Sequence, residues 1–266
     1  MKLREFKCVE ILTDLIENHG LVSVKTSFED EGAMFDETVR LKEICNQAKT
    51  KIVLKIGGPE AIRDIKESAI IGVKGLVAPM VESPFALTKY VQAVNKYLPA
   101  DVVSSMQVSI NLETITSINN SELILDTNEA NELYGITIGR VDLVSSLNKN
   151  RDYVNSSEIY SLSKKVFTKA KEKGLKACIG GAVSIDSMDF LKKLNSEGIL
   201  DKFETRYAMF DTSALKNLPS ALSKAQLFEY EWLLVKHEHY TKYANQDMIR
   251  IKMIQNRINQ TISNKK

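Results

Sequence analysis

Histidine is scarce in this 266-residue chain, with three in all, and cysteine is equally so. His19 stands just before Gly20, at the end of a helical pattern where a cation suits the helix dipole, and His237 and His239 sit in a late helical segment. A zinc centre or a Ser-His-Asp triad would have to be built almost without imidazole, which argues against both. Cys8, Cys45 and Cys178 lie far apart with no metal-type spacing, and an odd number without a secretion signal points to reduced, buried thiols. Long apolar runs are missing as well. Nothing approaches the roughly 20 residues of a membrane span, and "MKLREFKCVEILTDLIENHG" lacks the apolar stretch of a signal peptide, so a cytoplasmic protein without a membrane partner is expected. A net charge of +2 is too small to imply nucleic acid.

What is present is a repeated pair. Helical spacing over residues 6–18 gives way to the β-branched "GLVSVKTSFEDEG", and residues 35–48 return to helical periodicity. Then "KIVLKIGG", "VKGLVAPMVES", "MQVSINLET", "YGITIGRVDL" and "LKACIGGAVS" each precede a helical stretch, and "DKFETRYAMFD" leads into the C-terminal helices. Strict alternation implies parallel strands joined by helical crossovers, and near-continuous apolar runs such as "IVLKI" fit strands covered on both faces. Either a TIM (β/α)8 barrel or an open doubly wound sheet satisfies this. Seven strands are clear, with an eighth expected within residues 1–5. Polar residues decide for the barrel, because they follow every strand: Glu29 and Asp30, Lys55, Glu82, Glu113, Arg140 and Asp142, Glu204 and Arg206. A ring of such groups at the C-terminal ends of the strands is the barrel arrangement, whereas an open sheet gathers them at its switch point. Residues 1–218 are assigned to the barrel and 219–266 to a helical extension.

Glu113 and Asp142 end consecutive strands, so their carboxylates would converge from neighbouring staves. Two hard oxygen ligands with no His or Cys nearby suit Mg2+ or Mn2+, which can polarise a carbonyl; each carboxylate taken alone also reads as a helix cap or a loop salt bridge. The "GG" pairs at Gly57, Gly58, Gly180 and Gly181 read more readily as tight turns than as exposed amides for an anion. Glu204 and Arg206 alternate with Phe203 and Thr205, which would aim both charges at one face of a strand. Arg140 is either an anion-recognising cation or the salt-bridge partner of Glu113 or Glu82.

Four segments carry a family resemblance. "GLVAPMVES" resembles the third-strand segment of the HpcH/HpaI aldolase and citrate lyase β-subunit family, "INLET" its "IET" metal-ligand strand and "IGRVDLVSSL" its "GxxDLxxxLG" segment; "SFEDEG" is similar to the "DLEDAV" turn of the citrate-lyase branch. They occur in family order between about residues 21 and 210. The resemblance implies a metal-dependent barrel that makes or breaks carbon-carbon bonds beside a carbonyl, with pyruvate or a related oxoacid as enolate donor. It carries the metal ligands to Glu113 and Asp142. Lys55 stands where the family has an anion-binding Arg, keeping the charge and losing the bidentate fork. The catalytic His of the aldolase branch is absent from the first acidic turn, which offers Glu29, Asp30 and Glu31, with Glu29 or Asp30 the candidate base. Asn111 replaces the family Gln. The expected site therefore has Lys55, Glu29, Asp30 and Arg140 as catalytic groups, and Asn111, Glu82, Gly139, Glu204 and Arg206 around the substrate. A Schiff base on Lys55, or a barrel that binds an anionic metabolite or a partner without turnover, are the alternatives. Neither the acceptor nor the direction of reaction is legible, nor whether the substrate carries coenzyme A or phosphate.

From Ala221 to about Gln260 the chain has hardly a turn signal, and its single Trp lies there among Leu227, Phe228, Tyr230, Leu233, Leu234 and Tyr240. That surface needs cover, from a partner subunit or from the chain's own barrel. A homo-oligomer formed through the C-terminal helices is expected, as the resemblance implies.

Overall fold

A computed structural model describes residues 3–263, with side chains described as far as residue 257. Eight strands close a barrel in sequence order: β1 (Leu21–Ser27), β2 (Lys51–Lys55), β3 (Gly75–Ala78), β4 (Gln107–Asn111), β5 (Gly135–Gly139), β6 (Lys176–Gly180), β7 (Lys202–Glu204) and β8 (Ala208–Asp211). The helices are α1 (Leu3–His19), α2 (Phe35–Gln47), α3 (Ile62–Ile71), α4 (Pro84–Tyr97), α5 (Ala100–Ser105), α6 (Ile115–Asn119), α7 (Ser121–Leu125), α8 (Arg140–Ser146), α9 (Ser157–Glu172), α10 (Met188–Ser196) and α11 (Leu218–Ser263). The TIM-type barrel read from the alternation is the observed fold. Strands such as β2 and β3 have nearly every residue buried, since one face meets the lumen and the other the helical shell.

The eighth stave is not where the sequence pattern put it. Residues 3–5 open α1, while Met1 and Lys2 lie outside the described residues. The missing strand comes from "DKFETRYAMFD", which folds into a hairpin rather than one strand: Thr205 N–H donates to Ala208 O at 2.8 Å, and β8 runs antiparallel to both β7 and β1. No helix intervenes between β7 and β8. A return strand leaves the chain at the lower rim, where Asp211 N–H donates to Gly20 O at 3.0 Å. From there α11 climbs back along α1 in the opposite sense, tied by Lys224–Asp14 at 2.6 Å and by Arg4–Glu231 at 3.1 Å. Ala221, Ala225, Phe228, Trp232 and Val235 bury one stripe of α11 in the core. Leu227, Tyr230, Leu233 and Tyr240 remain exposed, as do Tyr243, Met248, Ile249, Ile251 and Ile254 further along. The helix thus uses the barrel for one face of its first half only. All three cysteines are free and buried, as expected.

Candidate functional site

A cavity of about 450 Å3 opens at the C-terminal ends of the strands. It is lined by side chains from the turns after β1, β4, β5, β6 and β7, by Lys55 at the end of β2, and by Leu222, Ala225, Gln226 and Glu229 of α11.

Glu113 lies just past β4 with only 2% of its surface exposed. Its oxygens each receive one neutral donor: Met80 N–H at 3.1 Å and Asn111 Nδ2 at 3.0 Å. Met80 takes a left-handed φ of 53°, which turns its N–H toward that carboxylate. Gly139 is there for space, because a Cβ on it would come within 2.6 Å of Glu113 Oε2. Burial raises the Glu113 pKa, the field of Lys55 and the two hydrogen bonds oppose the rise, and Asp142 adds to it. Asp142, in the first turn of α8, is exposed at the mouth; partial desolvation still raises its pKa, with Lys55 opposing and Glu29 and Asp30 adding. Neither carboxylate has a salt-bridge partner among the described residues.

Three of the cavity's cations are paired. Lys55, 8% exposed at the end of β2, pairs with Glu29 at 2.6 Å. Lys25, halfway along β1, is bonded to Glu204 at the end of β7; burial disfavours its ammonium, but Glu204 outweighs that and the pKa is raised. Arg206 reaches Asp30 at 3.5 Å at the exposed rim. Across the cavity seven carboxylates (Glu29, Asp30, Glu31, Glu113, Asp142, Glu204 and Glu229) face four cations (Lys25, Lys55, Arg151 and Arg206). That surplus of negative charge, concentrated where Glu113 is driven toward its neutral form, is what a bound cation would relieve. Among the described residues no group of three or more His, Cys, Asp or Glu side chains gathers as a metal cluster. Two carboxylates are nonetheless a donor set suited to Mg2+ or Mn2+, which keep several waters and take oxygen atoms from substrate.

Glu29, Asp30, Lys55, Asn111, Glu113, Gly139, Asp142, Glu204 and Arg206 all line this cavity. Two expected residues do not. Arg140 is fully buried and spends its guanidinium within the protein, on Gly180 O (3.0 Å), Gly181 O (2.8 Å), Asn155 Oδ1 (2.6 Å), Val154 O (3.5 Å) and Ser187 Oγ (3.4 Å), and it stacks on Phe190 at 4.9 Å. Burial lowers its pKa to about 10. It is a tie between β6 and the turn after α8, bonded neither to a substrate pocket nor to Glu113 or Glu82. Glu82 also turns away; it accepts from Thr114 Oγ1, which itself caps α6. Glu204 and Arg206 do not share a strand face, because β7 stops at Glu204 and Arg206 sits in the hairpin turn. The second Gly pair is steric: a Cβ on Gly180 would meet Glu204 at 2.9 Å and one on Gly181 would meet the backbone N of Arg140 and Val141 at 2.6 Å; in the first, Gly57 N–H is taken by Asp64 at 2.8 Å and a Cβ on Gly58 would meet nothing within 4 Å.

The sequence reading missed Lys25 and Arg151. Lys25 is the one charged residue inside the apolar run of β1, a signal that was available; Arg151 lies in a polar loop that has no period to mark it. Glu31, named with the acidic turn, is half-buried beside Tyr207, and desolvation raises its pKa while the hydrogen bond with Tyr207 opposes the rise.

Solved structures with the same barrel include an HpcH/HpaI aldolase from Desulfitobacterium hafniense DCB-2 (15% identity, TM-score 0.60, covering 76% of this chain and 82% of that one). Citrate synthase SbnG has 15% identity and TM-score 0.60 over 83% and 89% of the two chains. An HpcH/HpaI aldolase/citrate lyase family protein from Burkholderia cenocepacia J2315 has 14% identity and TM-score 0.59 over 85% and 92%. No curated protein matches the chain by sequence. At such identities these structures speak for the fold alone. The sequence itself matches the family model for HpcH/HpaI aldolase/citrate lyase over residues 38–194, more than half of its length, and so the chain belongs to the HpcH/HpaI aldolase/citrate lyase family.

Proposed function

We propose that the chain is a carbon-carbon lyase or aldolase that draws an enolate from a pyruvate-like oxoacid, with Mg2+ or Mn2+ held by Glu113 and Asp142. Family membership supports a lyase or aldolase acting on an oxoacid. The observation that carries the metal is the pair of carboxylates on adjoining staves, Glu113 buried and Asp142 at the mouth, neither given a salt-bridge partner among the described residues. When bound there, the divalent ion supplies Lewis acidity toward the donor's carbonyl. Asn111 and Met80 N–H fix the orientation of Glu113, and Gly139 leaves room for it. Lys55 offers positive charge to the oxoacid carboxylate while Glu29 holds it in place. Glu29 and Asp30, whose fields both reach Asp142, are the groups placed to take the donor's proton. Lys55 is paired rather than free, an arrangement that suits a counter-charge better than a Schiff-base nucleophile.

The same reading includes a homo-oligomer in the cytoplasm, assembled through the exposed half of α11 around Ile249 and Ile254. Sedimentation of I249E/I254E would then show a smaller species than the parent chain; identical sedimentation would remove this part of the reading. For the chemistry, deuterium exchange into the methyl group of pyruvate is expected with Mn2+, is lost on chelation and returns on adding metal. Exchange that persists in chelator and is trapped by borohydride would replace the metal with a Schiff base. No exchange under any condition would leave a binding protein.

A further inference from the structure

Among the four cations of the cavity, Arg151 alone carries no carboxylate partner; nothing among the described residues hydrogen-bonds or ion-pairs with it. It opens a short 3-10 turn, Arg151–Asn155, at the mouth. That turn is fastened from beneath: Val154 is buried, and Arg140 reaches Val154 O and Asn155 Oδ1 while its other donors hold Gly180 and Gly181. A buried arginine with every donor engaged is a rigid strut, so the turn that Arg151 opens is held at the rim by its far end, Val154 and Asn155.

We infer that Arg151 is the specificity residue for an anionic group, carboxylate or phosphate, on the acceptor that meets the enolate. This rests on the donor reading above. The donor's own carboxylate has Lys55, close to Glu113 and Asp142. A second anion on the acceptor enters a cavity with excess negative charge and is repelled unless an uncommitted cation receives it. Lys25 is locked to Glu204 within the lumen, and Arg206 is shared with Asp30. Arg151 has its planar fork free, the shape that binds an oxyanion through two parallel hydrogen bonds.

The test uses three aldehydes of equal length ending in a carboxylate, a phosphate or an amide, with pyruvate and Mn2+. The parent chain is expected to favour a charged acceptor over the amide by about tenfold in kcat/KM, and R151A to bring that ratio close to one, with R151K intermediate. Whichever of carboxylate and phosphate gives the larger ratio identifies the group. A parent ratio near one, an unchanged ratio in R151A, or loss of the ratio in R206A instead would overturn the assignment. A second measurement needs no turnover: labelling by an arginine-directed dicarbonyl, read by mass spectrometry. Inorganic phosphate should protect Arg151 several-fold more than the exposed Arg63; equal protection overturns the inference. Absent pyruvate exchange together with selective protection would sink the donor chemistry and leave the anion site standing.

Discussion

Two sides of the barrel mouth handle their charges in opposite ways. On the β1–β7 side Lys25 and Glu204 face each other across the closing seam, and each satisfies the other. On the β4–β5 side Glu113 has two neutral donors, Asp142 has no hydrogen-bond donor among the described residues, and both feel Lys55 only as a shared, indirect cation. A buried pair is complete in the folded chain, so it can shape the lumen and do little else. An unpaired carboxylate that burial pushes toward its acid form is costly to keep, and the cost is recovered only when something positive arrives. One side is complete in the folded chain, and the other is the side where the proposed cation would bind.

Breaking the paired side should produce the larger effect on stability. Lys25→Met strands the Glu204 carboxylate in the lumen beside Cys178, and removing one partner of a buried pair costs about 3–5 kcal/mol. Urea denaturation of K25M should show that loss, and K25M/E204L should recover most of it, since two apolar groups replace a matched pair. The same measurement on E113Q should show a much smaller loss, because Gln keeps an acceptor and no partner charge is left behind. If E113Q proves as damaging as K25M, the contrast between the two sides is wrong.

The contrast also shows what the sequence could disclose. Strand ends were legible because apolar runs stop there, which is why Lys55, Glu113, Asp142 and Glu204 were found. Their partners were not, since a cross-barrel contact such as Lys25–Glu204 joins residues remote in the chain, and no local period encodes it. Arg140 misled for a related reason. A charge immediately after a strand looks the same in sequence whether it enters the mouth or turns outward under the next loop, and the five hydrogen-bond partners that decide the matter come from residues 154–187. Closure of the barrel was read correctly while its eighth stave was misplaced, because "FETRYAMF" has no Gly-rich turn to announce a hairpin and its three-residue reversal is made by Thr205 bonding to Ala208. The acidic turn was recognised, but not that α11 would come to border it; Glu229 and Gln226 are brought there by packing along α1.

The unpaired side can be tested through its linkage to protons. Glu113 and Asp142 both have folded-state pKa values above their ordinary range, so the folded chain holds their protons more tightly than the unfolded chain does. Their contribution to stability is therefore fully present below the unfolded pKa values and is lost as pH rises through the folded ones. Asp14 and Asp201, held low by hydrogen bonds to lysine, work in the other direction. Overall stability thus mixes both signs, but the difference made by Mn2+ isolates the unpaired pair, because the ion competes with protons for those carboxylates. Below the ordinary carboxylate range Mn2+ should leave Tm unchanged. Above the raised pKa values, with Mn2+ at about a hundredfold over its dissociation constant, stabilisation of about 2.7 kcal/mol is expected, or about 5–10 °C in Tm. The increment should vanish in E113Q and D142N and survive in R206A. An equal Mn2+ shift at both pH values, or one that persists in E113Q, would mean that the cation binds elsewhere and that the β4–β5 side is not awaiting it.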